Sequence, residues 1–535
     1  MTTTSTRPAH RPAAVAAGAV GGAHRRPSGR GPRPVRRGLV LAVVLLAALA
    51  INIDTTIVNV ALPSLNRELG SSTSGLQWVV DGYNLAFAAL VLAGGNIGDR
   101  YGRRGALALG LLLFAGASVW AGECSTTGEL ITARFAMGAA ASLVYPTTLS
   151  VITNLFRERG QRAAAIGAWG AVSGLGVAIG PILGGALLEN FRWGSIFLAL
   201  VPVALIAAVG TLGVVPISRD TARPPLDPAG LVLSVLALGS AVYTIIEAPG
   251  AGWLAARTLG GFAVALVALA VLIAVERWHS APMLDIGLFA NPRFAAASGA
   301  VTVAFFALFG FIFLITQFFQ QLQGHGPLAT GVRILPVAGS IAVGSLLGIR
   351  LAVTRFGTKF VVAAGLLSMT VAFVWISTEN ATVPYLAVAA QMVLLGGGLG
   401  LTSATATESI MGVVRPDQAG AGSAVNDATR QVGGALGVAV LGSVFASLYV
   451  RHLNPTGSLA AVPAALLERT HDSFGAGLAV AAASPAPIAA PLHDAVVSGF
   501  LDGLQAGCLT AAGVCALGIV AVLLFLPARP TALSA

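Results

Sequence analysis

Charge is scarce in this sequence. Of its 535 residues only 10% are Asp, Glu, Lys or Arg and 56% are hydrophobic, whereas soluble domains carry about 25% charged residues. That balance excludes a soluble globular domain and points to a polytopic membrane protein. Lysine is nearly missing: Lys359 stands alone among 31 basic residues. Phe360 follows it, and the glycine spacing of G-x-x-x-x-G-K-[ST] is lacking, so the chain binds no ATP by that route. Cysteine is also sparse. Cys124, Cys508 and Cys515 show no metal-ligand spacing and no disulfide framework, and read as small packing residues. Aromatic residues are absent from the basic stretch 1–37, where eight arginines lie among Pro, Ala and Gly. The net charge of +10 therefore indicates no nucleic acid, but a disordered cytoplasmic tail beside an anionic leaflet. The tail is not a cleavable signal, because the apolar run after it is of spanning length. Arginine in place of lysine, with abundant Ala, Gly and Val, fits a GC-rich bacterial genome.

Long apolar runs are what the chain has instead. They fall at about 38–62, 76–97, 105–122, 129–153, 163–188, 194–215, 228–247 and 258–275, then at about 295–319, 331–353, 360–378, 384–412, 429–450 and 504–527. Fourteen crossings place both termini on one side. With that side cytoplasmic, the inner segments hold about 24 Arg/Lys and the outer ones about six, a clear positive-inside asymmetry. The inner set counts Arg430 as a loop residue. The segment 451–503 is expected to be a long extracellular loop, since Pro485, Pro487 and Pro491 argue against a further spanning helix. Arg100-Tyr101-Gly102-Arg103-Arg104 after the second run and Arg355-Phe356-Gly357-Thr358-Lys359 after the tenth suggest an internal repeat. The expected fold is all-α: a six-helix bundle over 38–215, an inserted helix pair with its flanking loops over 216–293, a second bundle over 294–527, and a cytoplasmic tail at 528–535.

Charges within the apolar runs are the functional candidates, since a carboxylate at such a depth costs roughly 3 kcal/mol on insertion scales. Asp54 lies in the first run. On a helical wheel Asn52, Thr55, Thr56 and Asn59 cluster together and Asp54 lies away from them, towards a neighbour such as the fourth helix with Arg134. Arg134 precedes Gly138, Ala141, Ser142 and Tyr145 at helical spacings, which puts a cation on a small-residue face; the alternative is snorkelling to the interface. Gln317 and Gln320 either line a substrate cavity or sit in the outer interface. Glu408 is either a cavity acid or a solvated helix-end acid, and Asp81 is expected at the interface.

Several segments resemble the major facilitator superfamily. Asp54-Thr55-Thr56-Ile57-Val58-Asn59-Val60-Ala61-Leu62-Pro63 is similar to its first-helix motif D-x-T-I-V-N-V-A-L-P. Gly95-Asn96-Ile97-Gly98-Asp99-Arg100-Tyr101-Gly102-Arg103-Arg104 resembles G-x-L-A-D-R-x-G-R-K/R, with Ile97 in the Leu slot. Arg134 to Gly138 resembles R-x-x-x-G, and Gly176 to Gly185 with Pro181 matches the G-x-x-x-G-P-x-x-G-G of antiporters. Asn426-Asp427-Ala428-Thr429-Arg430-Gln431-Val432-Gly433-Gly434-Ala435 resembles N-x-x-R-Q-x-G-G-A of the drug:proton antiporter-2 family (EmrB/QacA-type). Phe191-Arg192-Trp193 resembles W-R-W-x-F-x-x-N-x-P, with Leu200 where the family usually has Asn.

The resemblance implies a drug:proton antiporter, not an enzyme, with no cofactor but the proton gradient. Asp54 and Arg134 would couple protons. Gly95, Asp99, Arg100, Gly102, Arg103 and Arg104 would latch the two halves at the cytoplasmic side, and Gly176, Gly180, Pro181, Gly184 and Gly185 would form the antiporter motif. The candidate cavity comprises Asn59, Tyr145, Gln317, Gln320, Glu408, Asn426 and Arg430. Its partners would be an amphipathic drug or antibiotic, protons and the bilayer, for a protein acting as a monomer in a bacterial plasma membrane. A secondary transporter for a nutrient or endogenous metabolite is the alternative.

Overall fold

A computed structural model describes residues 36–219, 227–279, 282–352, 356–414, 419–453, 459–460 and 462–528. Most of the basic tail 1–37, most of the tail 528–535, and Arg223, Arg355, Arg415 and Arg529 lie outside them. The described residues form fourteen helices of spanning length and no strand. They are α1 Arg37–Leu69, α2 Thr73–Tyr101, α3 Arg103–Glu123, α4 Thr127–Leu155, α5 Gly160–Asn190, α6 Ser195–Val214 and α7 Pro228–Ala251. After these come α8 Ala256–Trp278, α9 Pro292–Leu322, α10 Pro327–Leu351, α11 Gly357–Ile376, α12 Tyr385–Val413, α13 Gly422–His452 and α14 Ala486–Phe525.

Local chemistry sets the boundaries. Gly70 ends α1 in the left-handed region at φ 62°, and the Ser72 hydroxyl accepts from Gly75 N at 3.1 Å to start α2. The helices pair in a way that repeats eight helices later: α1 packs on α5 and α9 on α13, α2 on α4 and α10 on α12, α3 on α6 and α11 on α14. Helices α7 and α8 pack together, and α7 leans on both α2 and α13. Two related six-helix halves with a pair at their seam is the expected arrangement.

The segment 451–503 differs from the expected loop. It contains helices Ala464–His471 and Phe474–Ala483, and α14 has already begun at Ala486. Pro485 is the N-cap of α14 and Pro487 lies in its first turn, where a missing N–H costs nothing, so these prolines start a helix and do not prevent one. Phe474–Ala483, at ten residues, is too short to cross a membrane. Helix α13 also starts earlier than its apolar run, so Asn426, Asp427 and Arg430 are helical wall residues and Arg430 is no loop cation.

The two halves meet at the end that carries the α1–α2 turn, opposite the start of α1. There Gln77 donates to the carbonyls of Val438 and Ala439 (3.1 and 3.0 Å), and Gln320 donates to Val60 O (2.8 Å). Asn66 donates to Ser473 Oγ (2.6 Å), and Thr73 N to Asp472 O (2.7 Å). At the same end Gly185 of α5 lies against the backbone of Pro327 and Leu328 in α10, and Gly331 against Pro181 O. Towards the terminal end of α5, Gly167, Gly170 and Gly174 are exposed and have open space beside them. The far end is thus sealed by side chains and close backbone contact.

Candidate functional site

The deepest charges come first. Arg134 and Asp54 are both completely buried, and Arg134 Nη1 donates to Asp54 Oδ1 at 2.9 Å and Oδ2 at 2.8 Å. Its Nε donates to Val79 O at 3.0 Å, and the guanidinium lies 4.4 Å from the Tyr83 ring centroid. Arg134 therefore does not snorkel. Gly138, one turn on, explains how the cation reaches α2: any side chain there would run into the Tyr83 backbone. The R-x-x-x-G spacing thus places an ion pair across α1, α2 and α4. Pairing and hydrogen bonding are what let two charges persist at this depth.

Asp54 does not face the cavity between the halves. That cavity, of about 60 Å³ and partly open, has the other side of α1 as one wall: Asn52, Thr55 and Thr56. Tyr145 of α4 faces it, as do Phe305 and Phe309 of α9 and Asp427 and Arg430 of α13. The polar residues of α1 are largely satisfied by their own helix, Asn52 donating to Ala48 O (2.7 Å) and Thr55 to Ile51 O (2.9 Å). They offer a polar surface without a bare donor. Tyr145 donates to Ser173 Oγ (3.3 Å) and packs 4.9 Å from Trp169. Arg430 sits 5.3 Å over the Phe305 ring and donates to Thr407 Oγ1 (3.3 Å), which donates to Asn426 Oδ1 (3.0 Å). The result is a cavity with aromatic and polar walls, the composition expected of a small-molecule site.

Of the sequence candidates, Tyr145 and Arg430 reach this wall, and Asn426 stands one contact behind it. Three others are placed elsewhere. Asn59 is buried and bonds to its own helix, Gln317 bonds to Phe313 O (3.3 Å), and Gln320 is part of the far-end seal. Glu408 is exposed: Thr407 faces Arg430, and one residue further the helix has turned by about 100°. Asp81 is not interfacial but completely buried, because α2 is enclosed by α4, α7 and α13.

The helix-five motif is chiefly a packing surface. Gly176, Gly180 and Gly184 lie against Asn52, Thr56 and Ile57 of α1, and Gly185 meets α10. Among the described residues, Asp99, Arg103 and Arg104 of the latch loop bond to residues that precede the second half. Asp99 pairs with Arg103 (2.7 Å) and Arg104 bonds Leu212 O within the first half, and Arg103 N bonds Ser218 O (2.9 Å) in the loop that follows it. Among the described residues the bridge expected through Asp99, Arg103 and Arg104 is not formed, and the contacts that join the halves lie at the other end.

Sequence reasoning missed Asp427. It stands three residues before Arg430, hence on the same helical face, but the helix was expected to begin only at 429.

Residues 44–438 match the Major Facilitator Superfamily, and the chain belongs to it. It is 35% identical to "Multidrug efflux pump LfrA" of Mycolicibacterium smegmatis over 483 residues, 90% of this chain and 94% of that protein. It is 36% identical to "Puromycin resistance protein pur8" of Streptomyces alboniger, covering 84% of this chain and 90% of that one. To the "Tetracenomycin C resistance and export protein" of Streptomyces glaucescens it is 32% identical, covering 94% of each. Among solved structures, the fold is similar to a bacterial homolog of the human lysosomal transporter Spinster, inward-facing and unoccupied, with TM-score 0.64, 18% identity and coverage of 94% of this chain and all of that one. The class defined by family and fold is a multi-pass membrane transporter.

Proposed function

We propose that this protein is a proton-coupled exporter of amphipathic drugs or antibiotics in a bacterial plasma membrane, with both termini cytoplasmic. The observation that carries this reading is a polar and aromatic cavity between two halves whose sealing contacts, among the described residues, lie at one end, beside a buried Asp54–Arg134 pair. The names of the relatives, efflux pumps and resistance proteins, support the direction of transport. On this reading the conformation is inward-facing: the far end is extracellular and closed, and the latch at Asp99 is open. Substrate enters from the cytoplasmic side or inner leaflet. Alternating access follows when the Gln77, Gln320 and Gly185 contacts part and the latch loop closes.

Asp54 carries the proton. With its proton gained, its hold on Arg134 weakens, and α1 and α4 are free to shift. Those same helices present Asn52, Thr55 and Tyr145 to the cavity, so the ion pair and the substrate wall move as one. Each proton moved inward releases about 2.3 kcal/mol per 100 mV and about 1.4 kcal/mol per pH unit. That supports a tens- to hundreds-fold substrate gradient without ATP, in a protein acting as a monomer.

Two measurements check this. Inverted vesicles should accumulate a fluorescent cationic dye on energisation, and an uncoupler should abolish the accumulation while removal of ATP, with the gradient kept by respiration, should not. Accumulation by intact cells would instead mean uptake and would sink the export reading. Second, cells expressing Asp54→Asn should lose the resistance that the wild-type chain confers across a drug panel, at equal expression. Unchanged resistance removes Asp54 from the coupling role.

A further inference from the structure

Two acids with no part in the proposed export route meet where the inserted pair leads into the second half. Asp227 is the N-cap of α7, and its Oδ1 accepts from Gly230 N at 2.8 Å. Glu276 lies in the last turn of α8, and its Oε2 accepts from Leu284 N of the following linker at 3.3 Å. Both residues are buried, 5% and 3% exposed. Among the described residues, the second oxygen of each carboxyl has no hydrogen-bond partner. These two oxygens converge on Gly230. A Cβ there would lie 2.6 Å from Asp227 Oδ2 and 2.6 Å from Glu276 Oε1, so the oxygens are no further apart than twice that distance.

Two carboxylates buried this close together do not both keep their charge without a proton or a cation between them. Among the described residues no group of three His, Cys, Asp or Glu could hold a metal ion, which favours the proton. Helix dipoles decide which acid carries it. The start of α7 favours the Asp227 anion, whereas the unpaired carbonyls that end α8 disfavour a Glu276 anion. Asp227 and His279 are the charged or titratable neighbours that act on Glu276. Arg277, His279 and Asp285 also line, with Glu276, a partly open cavity of about 510 Å³. That cavity gives the proton a route to water.

We infer that Asp227 and Glu276 share one proton, carried on Glu276 Oε1 and donated to Asp227 Oδ2, which fastens α7, α8 and the linker into one unit. Glu276 Oε2 keeps its hold on Leu284 N. The linker continues into the short 3-10 helix Ile286–Ala290, which packs on α8 and α9, with the Phe289 ring 5.1 Å from that of Phe294. The proton thus ties the inserted pair to the first helix of the second half. Its loss sets two anions side by side, so alkaline pH at this end loosens the junction. Neither the place nor the chemistry of this site depends on the direction of transport.

The test uses the full-length protein purified in detergent, read by infrared spectroscopy and by thermal melts over a pH series. Glu276→Gln keeps a donor towards Asp227 Oδ2 but cannot titrate. At neutral pH the wild type should show one more protonated carboxyl than Glu276→Gln. It should show the same excess over Asp227→Asn, in which Glu276 ionises once its acidic neighbour is gone. Raising the pH until the pair gives up its proton should lower the wild-type melting temperature, because the folded state holds a proton that the unfolded chain has already lost. Glu276→Gln should lack that part of the fall, and Glu276→Ala should melt below Glu276→Gln at neutral pH. Should Glu276→Gln fail to fold, Asp227→Asn reports the same loss of a protonated carboxyl. The inference is overturned if the variants lose an ionised carboxylate instead, the result for a water between two anions. A melting temperature raised by Mg²⁺ or Ca²⁺ in the wild type and not in Glu276→Gln would replace the proton with a metal ion. Identical pH dependence in wild type and Glu276→Gln would remove the tie.

Discussion

Arg134→Ala is expected to destabilise the protein by about 3–5 kcal/mol, because it leaves the Asp54 carboxylate completely buried without the Nη1 donor that bonds both its oxygens. The cost is mainly that of the stranded charge and not the worth of the pair. The double variant Asp54→Asn/Arg134→Ala should therefore recover a large part of the loss. Arg134→Lys should recover less, since a lysine ammonium cannot serve Asp54, the Val79 carbonyl and the Tyr83 face together. Thermal melts followed by size-exclusion chromatography in detergent would report the order: wild type highest, the double variant next, Arg134→Ala lowest. A double variant no more stable than Arg134→Ala would mean that the guanidinium acts through packing and not through charge.

Gly185→Val should break the seal without unfolding either half. A Cβ at Gly185 would lie 2.6 Å from Leu328 Cα and 2.6 Å from Pro327 O, and backbone cannot swing aside as a side chain can. Overpacking of this kind costs about 1–3 kcal/mol. Here that penalty falls only on the state in which α5 and α10 touch, so the equilibrium should move about 5- to 150-fold towards the state open at the far end. A cysteine placed at Gln77, now bonded to α13, would then react faster with a membrane-impermeant maleimide added outside. The three native cysteines are buried and give little background. Drug export should fall by more than about tenfold, as an inward-facing state that is rarely reached limits turnover. Labelling at the wild-type rate would show that α5 and α10 do not form the gate.

These two expectations draw on different sources. The importance of Arg134 is legible in the chain, because a cation in an apolar run is costly wherever it points, and the helical wheel of α1 already turns Asp54 away from the Asn52–Asn59 arc. The fourteen helices, their pairing into two halves and the family follow from apolar length and short motifs, which depend on the neighbours of each residue in sequence. Gly185 is different. The motif around it is visible, but that Gly176, Gly180 and Gly184 serve α1 while Gly185 serves α10 depends on how helices distant in the chain cross.

The same reason accounts for the corrections. Prolines at 485 and 487 read as helix breakers until the first turn of α14 is seen to start on them. Glu408 and Thr407 are indistinguishable as polar residues near a helix end, and only the rotation of α12 against α13 exposes one and sets the other against Arg430. Asp81 looks interfacial by position and is buried by the packing of α2 between three helices. Composition and periodicity thus determined the solvent, the number of crossings and the costly charges, because each is a free energy of transfer summed along the chain. Tertiary structure decided which end is sealed, that Asp54 is shut away behind Arg134, and that Asp427 faces the cavity, because those depend on which helix lies opposite.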